Sequence, residues 1–447
     1  MRRCSLLLLL WSLPATAQTV IISAPSLFIA PNEGRNPAGQ IEGIEGGAFT
    51  ARAADVGAIF YNPAGLGLSK KSSVSAASAA YEWTFYSGEV GDVADTGSRL
   101  SNNGRLFGFV IGGDVLGNEK LSLGLAFPTP VSWKPTLQLS GIVGTGYSGT
   151  GMIYSTDGSY TDVLPTIAAG YALRPGLRVG GSLGMSFLTL SNNQNGALQG
   201  ITPDGSALAQ RTFRADGTSY DLLLTGGLQW DLSPAVTLGL VVTAPGLSLG
   251  GTTSLIAEET TATGGGYRTA WFRDPEAEFQ VKHPTRVSLG LAWRFARGEV
   301  EADVKYFAGI SKYEMFSSEV PGVWTAVSQG ESRTGAAVFA PTYDEREAVT
   351  NVAIGGRYDL TKKTSLHLGF FTSQSPVGDE SVFSIVDLYG ISTGVSLNWA
   401  HLSGSIGVVY EWGDQGIALS PSSNLPDVTG ELGISSFHLL WGLTYKF

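Results

Sequence analysis

Only four histidines, His283, His367, His401 and His438, could serve nucleophilic or acid–base chemistry in this 447-residue chain. A lipid hydrolase needs a serine–histidine pair with an orienting partner, and none of the four stands in a recognisable motif. His438 lies on the polar side of an alternating segment and reads as lining rather than catalytic. Asp157-Gly158 and Asp204-Gly205 offer oxygens that could contribute to calcium binding, but no spaced ligand series accompanies them. The glycine-rich stretch 141–151 lacks the Gly-Lys-Ser/Thr of a phosphate loop. With Cys4 as the single cysteine, neither a disulfide framework nor a thiolate metal site can form. No metal, no cofactor and no enzymatic activity are therefore expected.

The remaining candidates are charges on alternating segments: Arg286, Arg294, Glu301, Asp303, Lys305, Arg357, Asp359, Asp221 and Glu411. Mixed signs on one face suggest cross-strand ladders. A ligand carboxylate would need an unpaired cation beside an apolar pocket, and Arg286 and Lys305 are the candidates for that role. The formal charge of −10 and the lack of a Lys/Arg cluster exclude nucleic acid as a partner.

Elements that could position these groups follow from period two. Phe437, Leu439, Trp441, Leu443, Tyr445 and Phe447 alternate with Ser436, His438, Leu440, Gly442, Thr444 and Lys446. The pattern recurs at Val287, Leu289, Leu291, Trp293 and Phe295, and from Tyr389 to Trp399. A soluble sandwich could show the same alternation. Trp230, Trp293, Tyr358, Trp399 and Trp412 at strand ends favour a membrane interface. Charged residues make up only 15%, aromatics 10%, and glycine, at 60 residues, is about twice its usual share. After the leader no apolar run is long enough for a spanning helix, so a membrane-crossing chain must cross as a closed barrel.

The spacing predicts about fourteen strands. They lie at 72–86, 105–114, 120–130, 159–173, 177–190, 218–231, 234–248, 277–296, 298–309, 350–360, 363–374, 387–399, 401–412 and 434–447. Short turns alternate with long loops, the mark of an all-β, up-and-down transmembrane barrel whose chain begins and ends on the short-turn side. Arg2, Arg3, an apolar run and Ala15-Thr16-Ala17 read as a signal peptide over 1–17. Segment 18–71, rich in Pro and Gly, has no alternating run beyond Val20 to Ile22, yet it is too apolar around Ile59, Phe60 and Leu66 for a solvated tail. It is expected to fold into the lumen of the 72–447 barrel as a plug, or hatch.

The run Asp55-Val-Gly-Ala-Ile-Phe-Tyr-Asn-Pro-Ala-Gly-Leu66 resembles the hatch signature of the FadL/TodX family of outer-membrane channels for long-chain fatty acids and aromatic hydrocarbons. Similarity continues at His283-Pro284-Thr285, at Asn351 to Gly355, at Gly369-Phe-Phe371 and at Ser375-Pro376. The resemblance implies a monomeric fourteen-stranded barrel in a Gram-negative outer membrane, surrounded by lipid and lipopolysaccharide. It implies ligand capture by loops, a lumen pocket, a hatch turn at Asn62, Pro63 and Ala64, and lateral release of a hydrophobic small molecule through a kinked third strand. Here Gly124 and Pro128 would mark that exit. Phe447 would be the terminal aromatic read by the barrel assembly machinery. The alternatives are a structural or secretion-associated barrel, which would have a polar lumen without an apolar pocket, and an outer-membrane lipid hydrolase.

Overall fold

Fourteen antiparallel strands close into one barrel in the computed structural model, which describes residues 19–90, 93–143, 150–202, 205–419 and 428–447. The expected leader at 1–17, Asp204 and most of the 141–151 stretch lie outside the described residues. The wall strands are β1 (Ser73–Val90), β2 (Val93–Ile111), β3 (Leu121–Ala126), β4 (Thr166–Arg174), β5 (Leu177–Thr202), β6 (Gly205–Asp231) and β7 (Val236–Thr243). They continue with β8 (Arg286–Phe295), β9 (Gly298–Phe307), β10 (Val349–Asp359), β11 (Thr364–Ser373), β12 (Asp387–Asn398), β13 (Leu402–Leu419) and β14 (Val428–Lys446). Each pairs with the next, and β14 returns to β1 with Val74 opposite Tyr445. Closure leaves no wall edge with unpaired backbone groups, the condition for crossing lipid with strands.

Burial is inverted relative to a soluble core. On β11, Leu368 is 67% exposed while its neighbour His367 is 1% exposed, so alternate residues face the outside and the lumen. Leu224, Leu289, Leu291, Ile354 and Ile406 point outward in the same way, and Ser288, Glu301, Asp303, Ser392 and His438 are buried inside. Trp230, Trp293, Tyr358, Trp399 and Tyr445 form an exposed aromatic row near the short-turn end. Tyr81, Trp83, Tyr389, Tyr410, Trp412 and Phe437 form a second row toward the other end. At the β4–β5 turn Gly176 has φ of 78°, a conformation that a side chain disfavours and glycine accepts.

The long connections are not loops, as the sequence suggested, but further strands. β5 and β6 run 26 and 27 residues, well past the outer aromatic row. Thr150–Val163 pairs along β5, and Leu247–Thr263 pairs along β6. Gly266–Phe279, Gly322–Ser328 and Glu331–Phe339 extend this sheet. Outside the membrane an outward face meets water, so the greasy alternation that marks a wall strand disappears there. Two expected strands, 159–173 and 277–296, each merge an extension strand with a wall strand. The breaks fall at Leu164-Pro165 and at His283-Pro284, where a proline has no N–H to give the ladder.

Residues 19–71 run through the lumen from one end to the other. Val20–Ile22 forms a strand parallel to Ala337–Phe339 of the extension sheet. The described chain therefore starts at the long-loop end, a correction to the expectation that both termini lie at the turns. Ile22, Leu27, Phe28 and Ile29 are the cause, since they bury themselves among Phe213, Phe272, Phe279 and Phe339 of the extension. Lower down lie helix α1 (Asp55–Tyr61) and a 3-10 turn (Pro63–Leu68), which leads to β1.

Candidate functional site

The plug touches the wall through a belt of glycines. On twelve of the fourteen wall strands a lumen-facing glycine sits so close to the plug that an added Cβ would lie within 3 Å of it. They are Gly108, Gly124, Gly170, Gly180, Gly227, Gly239, Gly290, Gly355, Gly369, Gly394, Gly407 and Gly442. Of the other two strands, β1 presents Ala77 and Ala79, and β9 presents acids. Glycine here lets plug backbone and side chains approach the wall backbone closely, which accounts for twelve of the 60 glycines.

The acids on β9 hold the plug by its N–H groups. Asp303 accepts from Phe49 N (3.0 Å), Thr50 N (3.1 Å) and Thr50 Oγ1 (2.7 Å). Glu301 accepts from Ala51 N (2.5 Å) and Arg52 Nε (3.0 Å). Arg52 also pairs with Glu45, whose other oxygen lies 2.5 Å from His367 Nδ1. Arg35 reaches Glu411 at 3.1 Å and stacks 4.0 Å above Trp133, beside the buried group Glu82, Arg105 and His438. Sequence reasoning saw Glu301, Asp303 and Glu411 as ladder charges. It weighed His367 only as a catalytic candidate and missed Arg35, Glu45, Arg52, Glu82 and Arg105, most of whose partners are remote in the chain.

Asn62, Pro63 and Ala64 join α1 to the 3-10 turn. Asn62 Nδ2 donates to Thr50 O (2.7 Å) and to Leu228 O (3.0 Å), while its Oδ1 accepts from Ala64 N (3.1 Å). Pro63 occupies the first position of the 3-10 turn and lies against Gly180. Glu42, buried in the plug beside Gly57, has its carboxyl pushed up to about 7 by burial.

Two small cavities of about 50 and 60 Å³ lie above α1 and share Phe60, Phe307, Arg286 and Glu33. The first is lined further by Tyr61, Lys305 and Phe371, the second by Ile59, Leu164, Leu223, His283 and Pro130. Arg286 and Lys305 thus border one space, Arg286 bonded to Thr243 Oγ1 (3.2 Å) and Lys305 to Gly47 O (2.7 Å). A third cavity of about 340 Å³ opens below the plug among Glu42, Glu45, Arg52, Asp55, Glu299 and Lys446. That density of charge makes it a poor path for an apolar solute.

The second cavity meets the wall at the end of β3. Regular pairing stops at Ala126 and resumes at Val131, across Phe127-Pro128-Thr129-Pro130. Single bonds bridge the gap: Phe127 N to Phe107 O (2.7 Å), Thr129 N to Arg105 O (3.1 Å) and Leu164 N to Pro128 O (2.9 Å). Gly124 lies lower, where Ile59 of α1 packs against it.

His283 Nε2 is 3.0 Å from Ser186 Oγ, but Ser186 donates to Asp162 (2.6 Å), and Asp221 approaches the same Nε2 at 3.6 Å. A triad needs the carboxylate on the other ring nitrogen and a serine whose proton goes to histidine. This cluster has neither. No group of three or more metal-ligating side chains is found among the described residues. Phe447 is 63% exposed; its N–H bonds Ser72 O (3.0 Å) and its ring meets Tyr445 edge-on.

A closed fourteen-stranded barrel with a lumen-filling N-terminal segment is the FadL-like fold. Among solved structures the chain is similar to the Pseudomonas putida toluene transporter TodX, at 14% identity over 92% of this chain and 99% of that one, with a TM-score of 0.59. A Pseudomonas aeruginosa FadL homologue is 14% identical over 95% and 100%, at a TM-score of 0.54. The Ralstonia pickettii toluene transporter TbuX is 13% identical over 92% and 99%, at 0.53. At these identities the likeness is one of fold. No family model and no curated protein matches the sequence.

Proposed function

We propose that this chain is a monomeric outer-membrane channel through which hydrophobic small molecules pass without energy coupling. The observation that carries the reading is the pair of cavities above α1, lined by Phe60, Phe307, Leu223 and Leu164 together with Glu33, Arg286 and Lys305, and reaching the wall where β3 loses its ladder. A structural barrel would have no use for cavities of mixed aromatic, aliphatic and polar lining that end at a gap in wall pairing. The long-loop end faces outward and captures ligand, and the turns face the periplasm. The hatch turn at Asn62, Pro63 and Ala64 shifts, and ligand leaves sideways between Gly124 and Pro128 into the membrane, because the cavity below the plug is charged. Lipid and lipopolysaccharide surround the wall, and the assembly machinery reads Phe447.

Uptake tests this reading directly. Outer-membrane expression of the chain should raise the rate at which cells take up labelled toluene or hexadecanoate above that of empty-vector cells. Rates equal to the empty vector for both classes would reject transport of hydrophobic solutes.

A further inference from the structure

We infer that the short-turn end of the barrel is a basic collar that binds the phosphodiester head groups of anionic phospholipid in the leaflet around it. Its charge runs against that of the chain, which is −10 overall. Lys71, Lys120, Arg174, Arg297, Lys362 and Lys363 are exposed at this end, and among the described residues none of the six forms an ion pair. The acids here are mostly engaged. Asp231 pairs with Arg178 (2.7 Å), Asp55 with Lys446 (2.6 Å), and Glu299 stands among Arg52, Arg294 and Arg357. The exposed acids at the turns are Asp114 and Glu119, and Glu119 lies 4.0 Å from Lys70. The long-loop end is the reverse, with Glu258, Glu276, Glu278, Glu319, Glu347 and Asp379 exposed.

The surroundings of these cations point to lipid rather than to a soluble acidic partner. Leu68, Leu173, Phe295 and Leu360 are exposed at the same turns, one to three positions from Lys70 and Lys71, Arg174, Arg297, and Lys362 and Lys363. Beside them runs the aromatic row of Trp293, Tyr358, Trp399 and Tyr445, and the Arg297 guanidinium lies 5.1 Å from the Tyr358 ring. An apolar side chain next to a long cation at the level of such a row rests in the acyl boundary while the charged head reaches the phosphates. The cations are also spread around the wall, from Lys71 before β1, past Arg174 and Arg297, to Lys363 before β11. A protein partner docks on a patch, whereas a leaflet meets a ring.

The test uses the full chain folded into phosphatidylcholine bilayers, with heat-modifiable gel migration as the check on folding. Quenching of tryptophan emission by brominated lipids gives the binding of phosphatidylglycerol relative to phosphatidylcholine, with Trp293 and Trp399 of the turn-end row among the reporters. At low salt phosphatidylglycerol should be preferred about fivefold, the effect of one cation beside a charged head group. The preference should fall toward parity at about 0.5 M salt, as screening shortens. Arg174→Gln, Lys362→Gln and Lys363→Gln combined should remove most of it, and Lys362→Arg with Lys363→Arg should keep it. Arg214→Gln, Lys312→Gln and Arg333→Gln, at the long-loop end, should leave it unchanged. Equal binding of the two lipids by the parent protein, or a preference that survives the turn-end substitutions, overturns the collar. Loss of preference with the long-loop substitutions moves the lipid contact to the other end and overturns it as well. Inorganic phosphate at constant ionic strength should not compete, and its abolishing the preference would replace the lipid surface with discrete anion sites. Solute uptake is read separately, so failure of this inference leaves the channel reading standing.

Discussion

The side-chain oxygen of Asn62 fills the space that a Cβ on Gly227 would take, and the Asn62 amide donates to Leu228 O at 3.0 Å, one residue further along β6. Hatch and wall are fitted to each other at one point by the presence of an amide and the absence of a side chain. Gly227→Val should drive the turn off the wall. Asn62→Ala should remove three hydrogen bonds and leave the Thr50 carbonyl unpaired, a cost of about 3 kcal/mol to plug docking. Both variants should be cut by trypsin at Arg52 faster than the parent protein, with barrel migration on gels unchanged. Equal cleavage rates would remove Asn62 from the docking of the plug.

Plug docking should also weaken with rising pH. Glu42 holds its proton more tightly when buried than in a free chain, with its folded value near 7 against an ordinary 4.5. The stabilisation from that bound proton is full below 4.5 and is lost as pH rises through 7, on the order of 3 kcal/mol in all. Hydrogen exchange over residues 41–58, corrected for intrinsic rates, should therefore quicken between pH 5 and 8. Glu42→Gln should flatten the dependence, and a slope that persists in this variant would assign it to another group.

Tying β3 to β4 should separate capture from release. Leu125 and Ile167 face each other in register, and engineered cysteines there should form a disulfide, since paired Cα atoms lie within about 5.5 Å. Oxidised protein is expected to bind ligand normally but to deliver less than a tenth of it, with recovery on reduction. Undiminished delivery by the oxidised form would move the exit away from Pro128.

Phe447→Asp should lower the amount of protein that reaches the outer membrane several-fold while leaving the melting behaviour of the folded fraction almost unchanged. The ring makes one edge contact, with Tyr445, and is otherwise exposed, so a folded barrel loses little with it. Equal membrane abundance of variant and parent would show that this end carries no assembly signal.

The wall was legible in the sequence because lipid imposes a rule on every second residue. Leu289, Leu291 and Trp293 face outward as their spacing required. The extension strands were not legible, since water beyond the membrane asks for no such rule at Asn193 or Thr212. The plug's attachment was hidden for a different reason. Glu301 and Asp303 look like ladder charges until register brings Ala51 and Phe49 to them. Gly227 is one glycine among 60, and nothing local distinguishes it from Gly226, beside which an added Cβ would meet nothing. Arg286 and Lys305 were visible as polar-face cations, but their shared space came only from the β8–β9 register.

The course of residues 19–71 sets a topological condition on how this barrel is made. The segment is anchored outside one mouth by Val20–Ile22 and leaves through the other to become β1. When β14 zips to β1, the ring closes around a strand of its own chain. Either residues 19–71 already lie across the unfinished sheet when the seam forms, or they must afterwards be drawn through a finished pore narrowed by Glu82, Arg105, Glu411 and His438. The seam between β1 and β14 is thus also the last doorway for the plug.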